Sequence, residues 1–235
     1  MVFCVTLNVR KLSLFALLAA FGALPTFASL IRLDFEGSIQ ASDFGSVSVG
    51  TSFSGDVYYD TAAAPFLSFT GSDVTAAAYL IPQAFLLNVG GSTVIPDSSS
   101  PDLSGASVID RDASQPQPLG ATDSIIFQLA GFKVSGPLAG DVQTDHGLFL
   151  SFMGSPAVLG SVQLPETFPD LGIWNNILPD TSIGLVTNPA TDVFLSFRGQ
   201  FISVRSSAVP EPSYFLVIPF LLALGRWATP RKYVL

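Results

Sequence analysis

Ile31-Arg32-Leu33-Asp34-Phe35-Glu36 alternates apolar and charged residues without a break. Successive side chains on a strand point to opposite faces, so Ile31, Leu33 and Phe35 share one face while Arg32, Asp34 and Glu36 share the other. That is the pattern of a half-buried β-strand. The same period runs on through Val47 and Val49, which alternate with serines, and through Phe53, Gly55, Val57 and Tyr59 to Asp60. Further strands are predicted at 84–89, 124–129, 148–152 and 192–204, with turn residues such as Gly90-Gly91, Gly131 and Gly154 between several of them. No helix of three turns is legible between residues 29 and 208. Short strands divided by glycine and proline predict an all-β fold, a single β-sandwich or jelly-roll-like domain.

Composition agrees with that class. The 235 residues are 49% hydrophobic and 12% charged, outside the disordered range, and 20 glycines with 17 prolines disfavour long helices. A net charge of −8 makes nucleic acid a poor partner, because no broad basic surface is available to track phosphates. Two proline-containing breaks interrupt the strand pattern. Residues 95–119, with Pro96, Pro101, Pro116 and Pro118 and six serines, are predicted as a long loop holding a short strand at 107–109. Residues 164–189, with Pro165, Pro169, Pro179 and Pro189, are predicted as a second break.

One phrase recurs. Phe-Leu-Ser-Phe-x-Gly stands at 66–71, 149–154 and 194–199, at unequal spacings that do not support a solenoid or propeller. As a strand it places Leu and the second Phe on one face, with the first Phe and Ser on the other. The expectation is core packing in three similar strands. The sharper alternative is an exposed aromatic platform for stacking sugars.

The residue types that carry catalysis are scarce. His146, the single histidine, sits beside Asp145 in the turn-like Thr144-Asp145-His146-Gly147, and no G-x-S-x-G elbow accompanies it. Zinc would need further ligands that are not there. Glycoside hydrolysis needs only two carboxylates, but Glu36 and Glu166, the two glutamates between 29 and 208, lack a recognisable context. The acid pairs Asp141/Asp145, Asp110/Asp112 and Asp56/Asp60 miss the D-x-[DN]-x-[DN]-G calcium pattern and read as solvated loops. The expectation is therefore a non-enzymatic chain with no catalytic residue, metal site or cofactor. If sugar is bound, Tyr58, Tyr59, Tyr79 and Trp174 are the better platforms.

The two ends read as addresses. A basic pair, Arg10-Lys11, precedes thirteen residues (12–24) that only Ser13 interrupts, and the small-residue site Thr26-Phe27-Ala28 follows. At ~1.5 Å per residue that run covers about 20 Å, short of a ~30 Å hydrocarbon core, so residues 1–28 are expected to form a signal-peptide helix cut between Ala28 and Ser29. Cys4, the one cysteine, would leave with it.

At the other end Val209-Pro210-Glu211-Pro212-Ser213 precedes an apolar run (214–225), Arg226 and the pair Arg231-Lys232. This order resembles the bacterial PEP-CTERM sorting signal, and the resemblance is confined to residues 209–235. It implies that Pro210, Glu211 and Pro212 are recognised by an exosortase-type processing enzyme after the secretion machinery has delivered the chain. It further implies a link to exopolysaccharide and biofilm, with extracellular polysaccharide a candidate partner. Physically, two prolines hold the tripeptide extended, as an enzyme's groove requires, and basic residues beyond the apolar run favour the cytoplasmic side. A helix over 214–224 would span only about 17 Å, suited to transient inner-membrane insertion before release to the cell surface or medium.

With both ends removed, 5 of the 10 basic and 17 of the 18 acidic residues remain, for −12. A carbohydrate-binding sandwich and a hydrolase acting on matrix polymer are the alternatives to a purely structural matrix protein.

Overall fold

The computed structural model describes residues 30–100, 102–114, 122–142, 145–174, 181–188 and 195–209. The expected signal helix with Ala28 and Ser29, and the tail with Pro210, Glu211 and Pro212, lie outside the described residues. Among those described, no helix is long and apolar enough to cross a membrane.

The fold is all-β. In chain order the strands are β1 (Leu30–Ser42), β2 (Ser52–Asp60), β3 (Leu67–Thr70), β4 (Val74–Leu80), β5 (Phe85–Val89) and β6 (Ser92–Pro96), followed by β7 (Gly105–Arg111), β8 (Asp123–Leu129), β9 (Phe132–Ser135), β10 (Asp145–Gly154), β11 (Ser182–Asn188) and β12 (Leu195–Ala208). Two 3-10 turns, Pro137–Gly140 and Leu171–Ile173, are the helical elements among the described residues. All twelve strands join one antiparallel sheet in the order β3-β4-β7-β8-β10-β11-β12-β1-β2-β5-β6-β9.

That sheet is folded over on itself. Only Ala130 and Gly131 separate β8 from β9, yet the two strands stand fourth and twelfth in the order. Gly131, at φ +64, supplies the left-handed residue so tight a turn needs. Four residues likewise carry the chain from β4, in second place, to β5, in tenth. Connections this short require the two halves of the sheet to lie face to face, and side chains meet between them: Tyr59 of β2 and Phe127 of β8 have ring centroids 5.5 Å apart.

The core is aromatic. Phe152 of β10 stacks on Phe201 of β12 at 5.0 Å and meets Phe168 edge-on at 4.6 Å, with Phe127 and Trp174 around them. Burying each such ring contributes about 1.5–3 kcal/mol. The 155–174 loop brings Leu164, Phe168 and Trp174 into this core. Two buried tyrosines hold that loop by their hydroxyls, Tyr59 donating to the Pro165 carbonyl (2.8 Å) and Tyr79 to that of Val162 (2.7 Å). A glycine makes room nearby: a Cβ on Gly199 would collide with the Phe53 ring and lie 2.9 Å from the Ile183 side chain.

Several expectations need correction. Val47 and Val49 lie in turns; Val47 is buried and Val49 is exposed. The 95–119 stretch holds the end of β6 and all of seven-residue β7, whose Ala106 and Val108 point into the core. The 164–189 break holds β11, which runs between β10 and β12. Its inward residues are Ile183 and Leu185, and the prolines only flank it. His146 belongs to β10, opposite Thr187, rather than to a turn. Strand β12 runs Leu195–Ala208, so 192–194 of its expected span lie outside the described residues. Of the three Phe-Leu-Ser-Phe-x-Gly copies, those in β10 and β12 bury their second phenylalanine, whereas the β3 copy is exposed throughout because β3 ends the sheet.

Candidate functional site

The alternation that buries Ile31, Leu33 and Phe35 sends Arg32, Asp34 and Glu36 to the outer face of the sheet. Cross-strand pairing then assembles a row that no local spacing contains. Asp34 stands opposite Arg205 of β12 on one side and Asp56 of β2 on the other. Asp56 in turn stands opposite Leu86 of β5. The next row is Ser203, Glu36, Ser54 and Asn88. A bulge opposite Glu36 and Gly37, with Ile202 as its extra residue, re-aims β12 at this point. The two rows line a shallow depression of about 310 Å³.

Arg32 organises its centre. One guanidinium nitrogen, Nη2, donates to Asp56 Oδ2 at 3.0 Å and ion-pairs with Asp34 Oδ1 at 2.8 Å, so a single cation holds two carboxylates. The Asp56 side chain keeps only 12% of its exposure, against 44% for Asp34. Burial pushes the Asp56 carboxyl above its ordinary value; Arg32 opposes that shift and Asp34 adds to it. For Arg32, burial works downward, but the fields of Asp34 and Asp56 outweigh it and hold the guanidinium more firmly protonated. Glu36 Oε1 accepts from the Ser203 hydroxyl at 2.8 Å. Tyr58, half-buried and opposite Arg32, borders this polar surface.

The remaining predicted residues are dispersed. Tyr59, Tyr79 and Trp174 are buried in the core and cannot stack a sugar, which leaves Tyr58. Glu166 is exposed on the loop, away from the residues lining the depression. Asp60 caps its own turn by accepting from the Ala62 N–H at 2.9 Å, and Asp112 likewise accepts from the Ser114 N–H at 2.9 Å. Asp141 Oδ2 ties two loops together through the N–H and hydroxyl of Ser46. The side chains of Asp145 and His146 lie outside the described residues. Burial, then Asp123 and Asp112, raise the Asp110 carboxyl. Asp123 itself is fully buried and spends its oxygens on the N–H groups of Arg111 (2.7 Å) and Leu159 (2.9 Å). Among the described residues, no group of three or more His, Cys, Asp or Glu is placed to share a metal ion.

An acidic pair does line a concave surface here, as hydrolysis would require. Both carboxylates are engaged by one guanidinium. What the arrangement can do chemically is present donors (Arg32, Arg205, Asn88), acceptors (Asp34, Glu36) and hydroxyls (Ser54, Ser203) to a polar ligand lying across the strands. Compared with known protein families, curated proteins and solved structures, the chain matches none.

Proposed function

We propose that this is an exported bacterial surface or extracellular-matrix protein, non-enzymatic, delivered by a signal peptide and processed through its PEP-CTERM-like tail. The reading is carried by one observation, the ordered run of Pro210-Glu211-Pro212, apolar segment and basic residues. The fold supports it at the junction. The Val209 N–H donates to the Leu30 carbonyl at 2.8 Å, one residue past the end of β12 and one before the tripeptide. A cut at the tripeptide would leave every described strand intact. The sandwich reading of the sheet belongs to the same proposal, since two packed layers with short turns suit a chain exported unfolded.

Mass spectrometry of the chain's termini after expression in an exosortase-containing host tests the reading. A new amino terminus at Ser29 and loss of the tail near 210–212 are expected; retained Met1 or Leu235 in the exported form overturns the corresponding signal. Glu211→Ala should leave the chain uncut and membrane-associated.

A second reading, a carbohydrate-binding face, is favoured by Tyr58 bordering the Arg32/Asp34/Asp56 depression. Polysaccharide arrays probed with and without calcium test it, and Tyr58→Ala should abolish any signal from that face.

A further inference from the structure

The outer face over β3, β4, β7, β8 and β10 is built from the same register logic as the charged one and has the opposite character. Its rows read Leu67, Ala78, Ser107, Ile126, Ser151 and, beside it, Leu80, Gly105, Gln128, Phe149. No residue in either row is charged. Phe66 and Phe149 border an apolar groove of about 300 Å³ there. Phe66, Leu67, Phe69 and Leu80 are each at least 51% exposed.

At the border of this face lies β3, one of the two ends of the sheet. The Gly71 N–H bonds the Val74 carbonyl at 2.7 Å. By the alternation of an antiparallel ladder, the N–H and C=O of Ser68 and Thr70 therefore point away from β4, to the open side. The opposite end is guarded: β9 carries Lys133, ion-paired to Asp97 at 2.9 Å, and is followed by Gly136-Pro137. Charge and proline are the usual means of blocking edge pairing. Within β3 there is neither: residues 66–72 contain no charge and no proline, Pro65 and Asp73 standing just outside that span.

The phrase itself points the same way. In β10 Phe-Leu-Ser-Phe is flanked by β8 and β11, in β12 by β11 and β1. Among the described residues, only in β3 does it have one neighbour. A sequence suited to an interior strand stands at an edge, next to an uncharged face, on a chain of net charge −8. Two such chains repel over most of their surfaces and least over this one. We propose that β3 pairs antiparallel with the β3 of a second copy of this chain, extending the sheet across a two-fold axis and covering Leu67 and Phe69.

Sedimentation of the full chain in density-matched neutral detergent, over a range of concentrations, tests this with two variants. Ser68→Pro removes an outward N–H while sparing the apolar face; Leu67→Lys/Phe69→Lys charges that face. Circular dichroism checks that strand content is retained, and Ile202→Lys, exposed elsewhere, serves as control. The expected result is a species of twice the chain mass for the wild type and Ile202→Lys, and a monomer for both β3 variants. A wild-type monomer at every concentration overturns the proposal, as it would if another protein were the occupant. A dimer that survives Ser68→Pro but not the lysines overturns edge pairing in favour of face packing. A dimer that survives both places the contact elsewhere and overturns it entirely.

Discussion

Strands β3 and β10 carry the same phrase, Phe-Leu-Ser-Phe-x-Gly, and meet opposite fates. The second phenylalanine is Phe152 in β10, fully buried among Phe127, Phe168, Trp174 and Phe201; in β3 it is Phe69, 60% exposed. Local sequence cannot tell them apart. What differs is place in the sheet: β10 has a strand on each side and the 155–174 loop packed over its inner face, while β3 stands last in the order. Burial here is a property of topology.

The largest expected effect follows directly. Phe152→Ala should cost about 3–5 kcal/mol, and Phe69→Ala, on the monomer, less than about 0.5 kcal/mol. Urea unfolding of the pair measures both, and equal costs would break the comparison. The closing glycines of the phrase extend it. A methyl on Gly199 in β12 must displace Phe53 and Ile183, whereas one on Gly71 meets the Phe69 ring edge at 3.2 Å, which can swing away. Gly199→Ala should therefore cost about 1–3 kcal/mol and Gly71→Ala about 0.5 kcal/mol or less.

A smaller effect distinguishes the charged outer face from the uncharged one. Burial, then Asp34, raise the Asp56 carboxyl against the pull of Arg32. A carboxyl that holds its proton more tightly folded than unfolded takes stability away as pH rises from the ordinary carboxylate range through its raised value. Asp56→Asn should thus match the wild type at the acid end and gain on it as pH rises, read from urea midpoints between about pH 3 and 7. A gain in the other direction would show that the Arg32 pairing outweighs burial.

The smallest concerns the guarded edge. Hydrogen bonds from the Ser99 hydroxyl, with Lys133 and the Ser99 N–H behind it, hold the part-buried Asp97 carboxyl at about 2. Its contribution is present above the ordinary carboxylate value and lost as pH falls towards 2. In an NMR titration Ser99→Ala should move Asp97 upward further than Lys133→Ala does.

The strands legible in the sequence are those whose inward residues are large and evenly spaced: Ile31, Leu33 and Phe35 in β1, Ile125 and Phe127 in β8, Leu148, Leu150 and Phe152 in β10. Strand β4 escapes because its central residues are three alanines, which give period 2 no contrast, and β11 because it offers only Ile183 and Leu185 between prolines. The candidate site was half legible. Alternation turns Arg32, Asp34 and Glu36 outward together, but nothing within β1 announces that Asp56 and Arg205 will flank Asp34. Those neighbours are set by pairing between distant parts of the chain, which periodicity does not encode.

The hydrogen bond from Val209 to Leu30 closes a pairing between the first and last described strands in chain order, Ile31 against Ala208. Contact between strands so distant in sequence carries the largest loop-closure entropy the chain can face and is formed slowly. Until β12 exists, β1 has β2 on one side and nothing on the other. A chain threaded through a pore amino terminus first would hold β1 waiting while the rest arrives, and the ladder would zip shut only as residues 195–209 emerge. Whatever follows Val209 is then the last part still in the pore when the protein acquires its shape, so completion of the fold and exposure of the tripeptide would coincide in time.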